Sequence, residues 1–199
     1  MRTFVALDLG PEIREQIQEF AEKVRPLAPA ARWVSAESLH VTLKFIGEKP
    51  DAMVKKIETA LASIHCEVFQ IRFSGAGFFP TPRAARVFWV GIEADENLSR
   101  LAKVVDDSLS ELGIEKEVRA FSPHLTLARA SGGSGAPGWR KGDNSNRQFA
   151  KLQDFLGKIP APDFGTMTAR EFFLYRSQLS SKGSQYTKIA RFELNSATN

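Results

Sequence analysis

Apolar residues recur along this chain with two periods, one suited to strands and one to helices. Residues 3–9 are apolar with little alternation, as in a strand buried on both faces. Pro11 then opens a helix, and Ile13, Ile17, Phe20 and Val24 form one apolar stripe before Pro26 stops it. Trp33-Val34 leads through Ser35 and Ser38 into a strand that starts at His40, runs to Ile46 and ends at Gly47. Asp51 stands where it would cap a second helix, with Val54, Ile57, Leu61 and Ile64 on one side. Residues 67–75 alternate through Val68, Ile71 and Phe73 and predict a strand, while 75–86, with Phe78, Phe79 and two prolines, predict a loop.

The second half repeats the scheme. Residues 87–93 predict a strand, and Asp95 caps a helix through Leu98, Leu101, Val105, Leu109 and Leu112 that Gly113 closes. Residues 116–121 predict a strand, broken by Ser122-Pro123 before another that begins at His124. A loop over 130–146, a short helix over 148–156 and two closing strands, 168–177 and 185–194, joined around Lys182-Gly183, complete the chain. Strands and helices mix without regular β-α-β alternation, which favours an antiparallel α+β fold.

One motif occurs twice: His40-Val41-Thr42-Leu43 and His124-Leu125-Thr126-Leu127, 84 positions apart, holding two of the chain's three histidines. On a strand, His40 and Thr42 share one face and Val41 and Leu43 the other, and the second copy repeats this. Each copy thus reads as a strand with one face on a core and one on a cleft. Histidine exchanges protons near neutral pH, and a hydroxyl two residues on can donate to an anionic oxygen. The same offset aligns Phe4 with Phe88, Ala6 with Val90 and Ile17 with Leu101, so the chain reads as one two-lobed domain over 1–199 with an internal pseudo-repeat, approximately 3–47 and 87–130.

A single strand histidine is most simply a hydrogen-bonded structural residue; the shared context turns His40 and His124 toward catalysis. Thr42 and Thr126 gain meaning only from the face they share with them. Lys44 has the strand parity of His40 and can reach a phosphate, although a solvated lysine at a strand end is the simpler reading. Arg129 has the opposite parity to His124 and reaches the cleft only if the strand bulges or ends near Ala128. His65, without a partner motif, reads as structural. No carboxylate or third histidine stands at ligand spacing, so no metal and no cofactor is expected, and no Gly-x-Ser-x-Gly elbow suggests a serine hydrolase.

Composition narrows the setting. The 199 residues are 43% hydrophobic and 25% charged, ordinary for a globular protein. The lone Cys66 cannot form an internal disulfide, the N-terminus lacks a signal-peptide pattern, and no apolar run is long enough to span a bilayer, so a cytoplasmic protein without membrane contact is expected. Net charge is +4, compatible with a polyanionic substrate. Arg129, Arg140, Lys141 and Arg147 oppose only Asp143 in a Gly/Ser-rich stretch, where Trp139 offers one stacking contact.

The paired motifs resemble those of the two-histidine phosphoesterase superfamily, and within it the RNA 2′,3′-cyclic phosphodiesterases historically called 2′-5′ RNA ligases. Arg2-Thr3-Phe4-Val5-Ala6-Leu7 is similar to that group's opening strand, Leu39 through Gly47 to its first motif, and Pro123 through Arg129 to its second. Leu174-Tyr175-Arg176-Ser177, Gly183 and Tyr186 are similar to its C-terminal hairpin. The resemblance implies a bilobal fold, two antiparallel sheets facing a central cleft with helices outside, and metal-independent hydrolysis of a 2′,3′-cyclic phosphate on RNA or a nucleotide; separately from the resemblance, a monomer is expected. It also implies His40 as proton donor to the 3′ oxygen and His124 as proton acceptor, leaving a 2′-phosphate, with Thr42, Thr126 and Arg129 on the substrate phosphate. Joining of RNA ends through a 2′-5′ bond would be the reverse chemistry of the same site. Two alternatives stand beside it: a phosphodiesterase for a non-RNA cyclic phosphate or a 2′-5′ linkage, and a module that binds RNA ends without turnover.

Overall fold

Among the described residues nine strands form two antiparallel sheets, and the two motif strands belong to different ones. The computed structural model describes residues 1–131, 147–180 and 183–195. The first sheet has the order β3-β1-β8-β9, built from β1 (Arg2–Asp8), β3 (His40–Glu48), β8 (Glu171–Ser180) and β9 (Gly183–Glu193). The second has the order β2-β6-β5-β4-β7, built from β2 (Arg32–Trp33), β4 (Phe69–Phe79), β5 (Val87–Ala94), β6 (His124–Arg129) and β7 (Asp163–Ala169).

Helices cover the sheets crosswise. The first, α1 (Pro11–Val24), follows β1 yet packs on β7 of the other sheet, with Phe20 edge-on to Phe164 at 5.2 Å. Next, α2 (Asp51–Ala62) lies against β9 and α3. In turn α3 (Glu96–Ser110), which follows β5, touches β3 of the first sheet. A short α4 (Ala150–Leu156) closes the set. This exchange joins the apolar faces of both halves into one continuous core, from Val5, Leu7, Val41 and Leu43 to Phe88, Val90, Leu125 and Leu127. Burial on this scale, at about 25 cal/mol per Å² of apolar surface, fixes which face of each strand points inward. Among the described residues no helix is long and apolar enough to cross a membrane.

Local signals hold in most places and are overruled in four. Asp95 caps α3 as expected, its carboxylate accepting from Asn97 N–H at 2.9 Å. Asp51 does not cap α2; Pro50 is the cap residue, and its carbonyl accepts from Met53 at 2.9 Å, leaving Asp51 in the first turn against the positive helix end. The expected loop over 75–86 is strand as far as Phe79, because pairing with β5 outweighs the glycines; Gly75, at φ +71°, absorbs the kink where that pairing is interrupted. The expected strand 116–121 is absent, its segment tied instead to α3 by Glu117 N–H on Asp106 and Lys116 on Asp107. The expected strand 168–177 is two, since the chain leaves β7 in one sheet and enters β8 in the other at Arg170. The basic Gly/Ser stretch with Trp139, Arg140 and Lys141, and Lys182 of the last turn, lie outside the described residues.

The registers also revise the internal alignment. Across β1 and β3, Asp8 faces His40 and Ala6 faces Thr42. Across β5 and β6, Gly91 faces His124 and Trp89 faces Thr126. Ala6 therefore matches Trp89, not Val90, and Phe4 matches Val87, not Phe88. A shift of one residue exchanges the faces of a strand, so Phe88 belongs to the core and Trp89 to the site.

Candidate active site

Both motif histidines are oriented by the same local bond. His40 Nδ1 donates to the Ser38 carbonyl at 2.7 Å, and His124 Nδ1 donates to the Ser122 carbonyl at 2.8 Å. A carbonyl can only accept, so Nδ1 carries the hydrogen in each ring and Nε2 is the end left for other chemistry. His65 makes the equivalent bond to Ser63 at 2.8 Å but stands exposed past the end of α2, on no motif strand.

The two rings differ in surroundings. His40 lies in a second, smaller apolar cluster on the face of β1 and β8 that turns away from the main core. Phe4 is 4.7 Å from its ring, Tyr186 stands edge-on at 5.1 Å, and Tyr175 is 6.1 Å away. Burial there holds His40 down to about 4; the Ser38 carbonyl and Asp8 pull it back up, while Arg129 and Arg14 push it further down. Burial also pushes the Tyr175 phenol up, so it stays protonated. Asp8 is itself engaged by Arg14 and Lys188, and Arg14 reaches on to the carbonyls of Ala36 and Leu39. Those carbonyls flank Ser38, so Arg14 steadies the turn that holds His40. In the second motif Pro123 stands in place of Leu39 and stiffens the equivalent turn without an arginine.

His124 leans on a column of rings. Phe79 meets it edge-on at 5.0 Å, Trp89 lies 5.0 Å behind Phe79, and the Trp89 six-membered ring rests on Gly77. A Cβ on Gly77 would come within 2.3 Å of that ring, so only glycine fits beneath it.

Two matching bulges decide what else faces the cleft. Leu43 has no partner between Val5–Lys44 and Ala6–Thr42, and Leu127 has none between Phe88–Ala128 and Trp89–Thr126. The strand phase changes at each bulge. Thr42 and Thr126, half-buried, share the faces of their histidines, and Arg129 joins His124 and Thr126 as its parity alone did not allow. Lys44 goes the other way. It turns inward, 5% exposed, where its ammonium pairs with Asp106 and donates to the Glu115 carbonyl at 2.6 Å. Phe45 takes the cleft position instead, 61% exposed. Sequence parity hides this exchange, and an apolar Leu-x-Phe-Ile run gives no hint that Phe45 is the residue turned out.

The motifs converge. Strands β3 and β6 lie against each other, and the Arg129 charge on one sheet is felt by His40 on the other. His40 and Thr42 on one sheet are thus brought next to the strand of the other sheet that carries His124, Thr126 and Arg129. Among the described residues no three His, Cys, Asp or Glu side chains come together as a ligand set for a metal ion.

A family model described as LigT like Phosphoesterase matches the chain twice, over residues 7–89 and 90–186, one motif in each match. The chain belongs to this family. Among curated LigT-like relatives, the RNA 2′,3′-cyclic phosphodiesterase of Archaeoglobus fulgidus is 32% identical, across 97% of this chain and 100% of its own length. That of Methanocaldococcus jannaschii is 34% identical, across 95% and 98%. Solved structures agree on the LigT-like fold. E. coli LigT complexed with 3′-AMP superposes with a TM-score of 0.76 at 30% identity, covering 97% of each chain. A protein of Thermus thermophilus gives 0.75 at 30% identity, with both chains fully covered. The two-sheet fold of this LigT-like chain is therefore shared with these structures. Residues that the sequence reading missed, Asp8, Arg14, Phe79 and Trp89, act through contacts between distant strands and carry no local pattern.

Proposed function

We propose that this protein hydrolyses the 2′,3′-cyclic phosphate at the end of an RNA or a nucleotide, without a metal, and leaves a 2′-phosphomonoester. The observation that carries this reading is the matched pair of histidines on adjacent strands, each with Nδ1–H engaged by a carbonyl two residues back, which leaves Nε2 for proton transfer. The curated relatives named RNA 2′,3′-cyclic phosphodiesterase supply the substrate class.

In this reading His124 Nε2 takes a proton from water as the water oxygen attacks phosphorus. The bond from phosphorus to the 3′ oxygen breaks, and His40 Nε2–H delivers its proton to that oxygen. His124 ends as imidazolium and His40 as neutral imidazole, and exchange with solvent restores both. Thr42 and Thr126 donate to the non-bridging oxygens while Arg129 meets their growing charge. The exposed Phe45 ring offers a stacking face for the nucleobase.

Donor and acceptor are assigned by the family resemblance, and one asymmetry supports the assignment. Asp8 stands opposite His40 and favours its charged form, whereas Gly91 stands opposite His124. Burial opposes a charged His40 in the free protein, and a bound phosphate anion counters that burial. Both histidines come from one chain, which suits a monomer, and the lone Cys66 suits the cytoplasm. The shared local bond, the shared bulge and the doubled family match favour one duplicated, two-lobed domain. Formation of a 2′-5′ bond is the same ring opening with an RNA 5′ hydroxyl in place of water: His124 takes the hydroxyl proton, its oxygen bonds to phosphorus, and the 3′ oxygen leaves with the proton from His40.

Chelator-treated protein is incubated with the four nucleoside 2′,3′-cyclic phosphates and the product isomers are resolved. Turnover to 2′-phosphates is expected. Only 3′-phosphates would reverse the direction of ring opening, and activity that returns only with an added divalent ion would overturn the metal-free reading.

A further inference from the structure

We propose that the groove beside Phe45 is a second subsite, which takes the nucleobase of the nucleotide preceding the cyclic-phosphate end. This inference rests on the reading of the two-histidine site above. Phe45 and Val118, 61% and 91% exposed, are the two large apolar side chains left standing in solvent among the described residues. Single exposed apolar residues are ordinary, but these two line the same groove, with Ile46, Lys49 and Ile114.

The far wall of that groove is held although it belongs to no sheet. Buried Lys44 donates to the Glu115 carbonyl at 2.6 Å, Asp106 accepts from Glu117 N–H at 3.2 Å, and Lys116 donates to Asp107 at 2.7 Å. Three ties to α3 and β3 over three residues fix the segment and present Val118 at its end. The surface is thus preorganised, which lowers the ordering cost of binding.

The strand direction identifies the occupant. A 2′,3′-cyclic phosphate can exist only at a 3′ end, so the rest of the RNA leaves through the 5′ oxygen. His40, Thr42 and Phe45 follow one another along the cleft face of β3. With Leu43 bulged out, Thr42 to Phe45 is two strand steps, about 7 Å, close to the reach of one nucleotide. A phosphate at Thr42 therefore sets the terminal base near Phe45, and the chain runs on into the groove.

Charge selects the base over the backbone. Glu115 and Glu117 line the groove against Lys49, and the Lys44 and Lys116 ammoniums are already engaged by Asp106 and Asp107, so the two carboxylates outweigh the remaining lysine and a phosphate gains little there. A neutral base stacked on the exposed Phe45 and Val118 side chains meets no such penalty, and single-stranded RNA is commonly bound through its base faces.

The test compares adenosine 2′,3′-cyclic phosphate with the dinucleotide ApA carrying the same cyclic end, in the wild type and in Val118→Asp. Val118 is too exposed for this change to disturb folding. The wild type should prefer the dinucleotide by about tenfold in kcat/KM, as expected for one stacked base. Val118→Asp should abolish the preference and leave turnover of the mononucleotide unchanged. Equal kcat/KM for the two substrates in the wild type, or a preference that survives in the variant, overturns the subsite and leaves the two-histidine site standing. No turnover of either substrate by the wild type overturns both.

Discussion

Phe45 and Arg129 hold the same position in the two motif strands, each turned onto the cleft by a bulge at the leucine two residues before it. Lys44 and Ala128, the residues just before them, are both buried for the same reason. One lobe therefore brings an aromatic ring to the cleft where the other brings a guanidinium. The cleft is asymmetric at the point where a nucleotide is asymmetric, with a base at one end and a phosphate at the other.

This exchange separates the fates of two basic residues. Arg129→Ala should lower kcat/KM by about 10²–10³-fold, the range seen when one charge-stabilising donor is lost, and leave the unfolding midpoint unchanged. Lys44→Ala should do the reverse. It removes the ammonium shared by the Asp106 carboxylate, 18% exposed, and the Glu115 carbonyl, leaving Asp106 with the Glu117 N–H in place of its counter-ion, a loss of about 3 kcal/mol of stability. Urea unfolding and steady-state kinetics on both variants check the contrast, and a stable but inactive Lys44→Ala would return Lys44 to the cleft.

His40→Ala and His124→Ala should each slow turnover by about 10²–10⁴-fold, as for loss of a general acid or base. Thr42→Ala and Thr126→Ala should slow it by about 10–10³-fold. All four should retain the wild-type circular dichroism spectrum, because these side chains sit outside the main core. His65→Ala should leave kinetics unchanged. Near-normal turnover by a folded His40 or His124 variant would sink the mechanism.

The position of His40 makes stability depend on pH. Its ring titrates near 6.5 when unfolded and at about 4 when folded, so the unfolded chain binds more protons between those values. Stability should therefore fall as pH drops from 6.5 to 4, by on the order of 3 kcal/mol, and this contribution should not grow below pH 4. Urea unfolding at pH 7 and pH 4.5 should show the loss in the wild type and a smaller one in His40→Gln. Arg129 pushes the ring down, so Arg129→Gln should raise the His40 titration midpoint measured by NMR. A midpoint near 6.5 in the free wild type would refute the burial argument.

Gly77→Ala tests the column of rings behind His124. Its Cβ would meet the Trp89 ring at 2.3 Å, and the displacement would pass through Phe79 to the histidine. The expected loss is about 1–3 kcal/mol of stability, as for an overpacked site. Turnover should fall with little change in KM, because the catalytic ring is misaligned while Thr42, Arg129 and Phe45 still hold substrate. Gly10→Ala, where a Cβ meets nothing within 4 Å, is the control.

The residues that do chemistry were legible in the chain because their signal is local. A histidine, a threonine two places on and alternation on a strand put two groups on one face without reference to any other segment, and a second copy made the pattern significant. Helix ends at Pro11 and Asp95 were legible for the same reason, since a fixed φ or a capping carboxylate acts within one turn. What the chain alone left open depends on pairing between distant segments. The bulges at Leu43 and Leu127 arise where neighbouring strands meet, and they turn Arg129 into the cleft, Lys44 into the interior and Phe45 into solvent. The extension of β4 past Gly75 and the break at Arg170 are likewise fixed by which strand lies alongside. A ladder hydrogen bond joins residues far apart in sequence, so the sequence determined which groups could react, and only the tertiary structure decided which of their neighbours stand beside them.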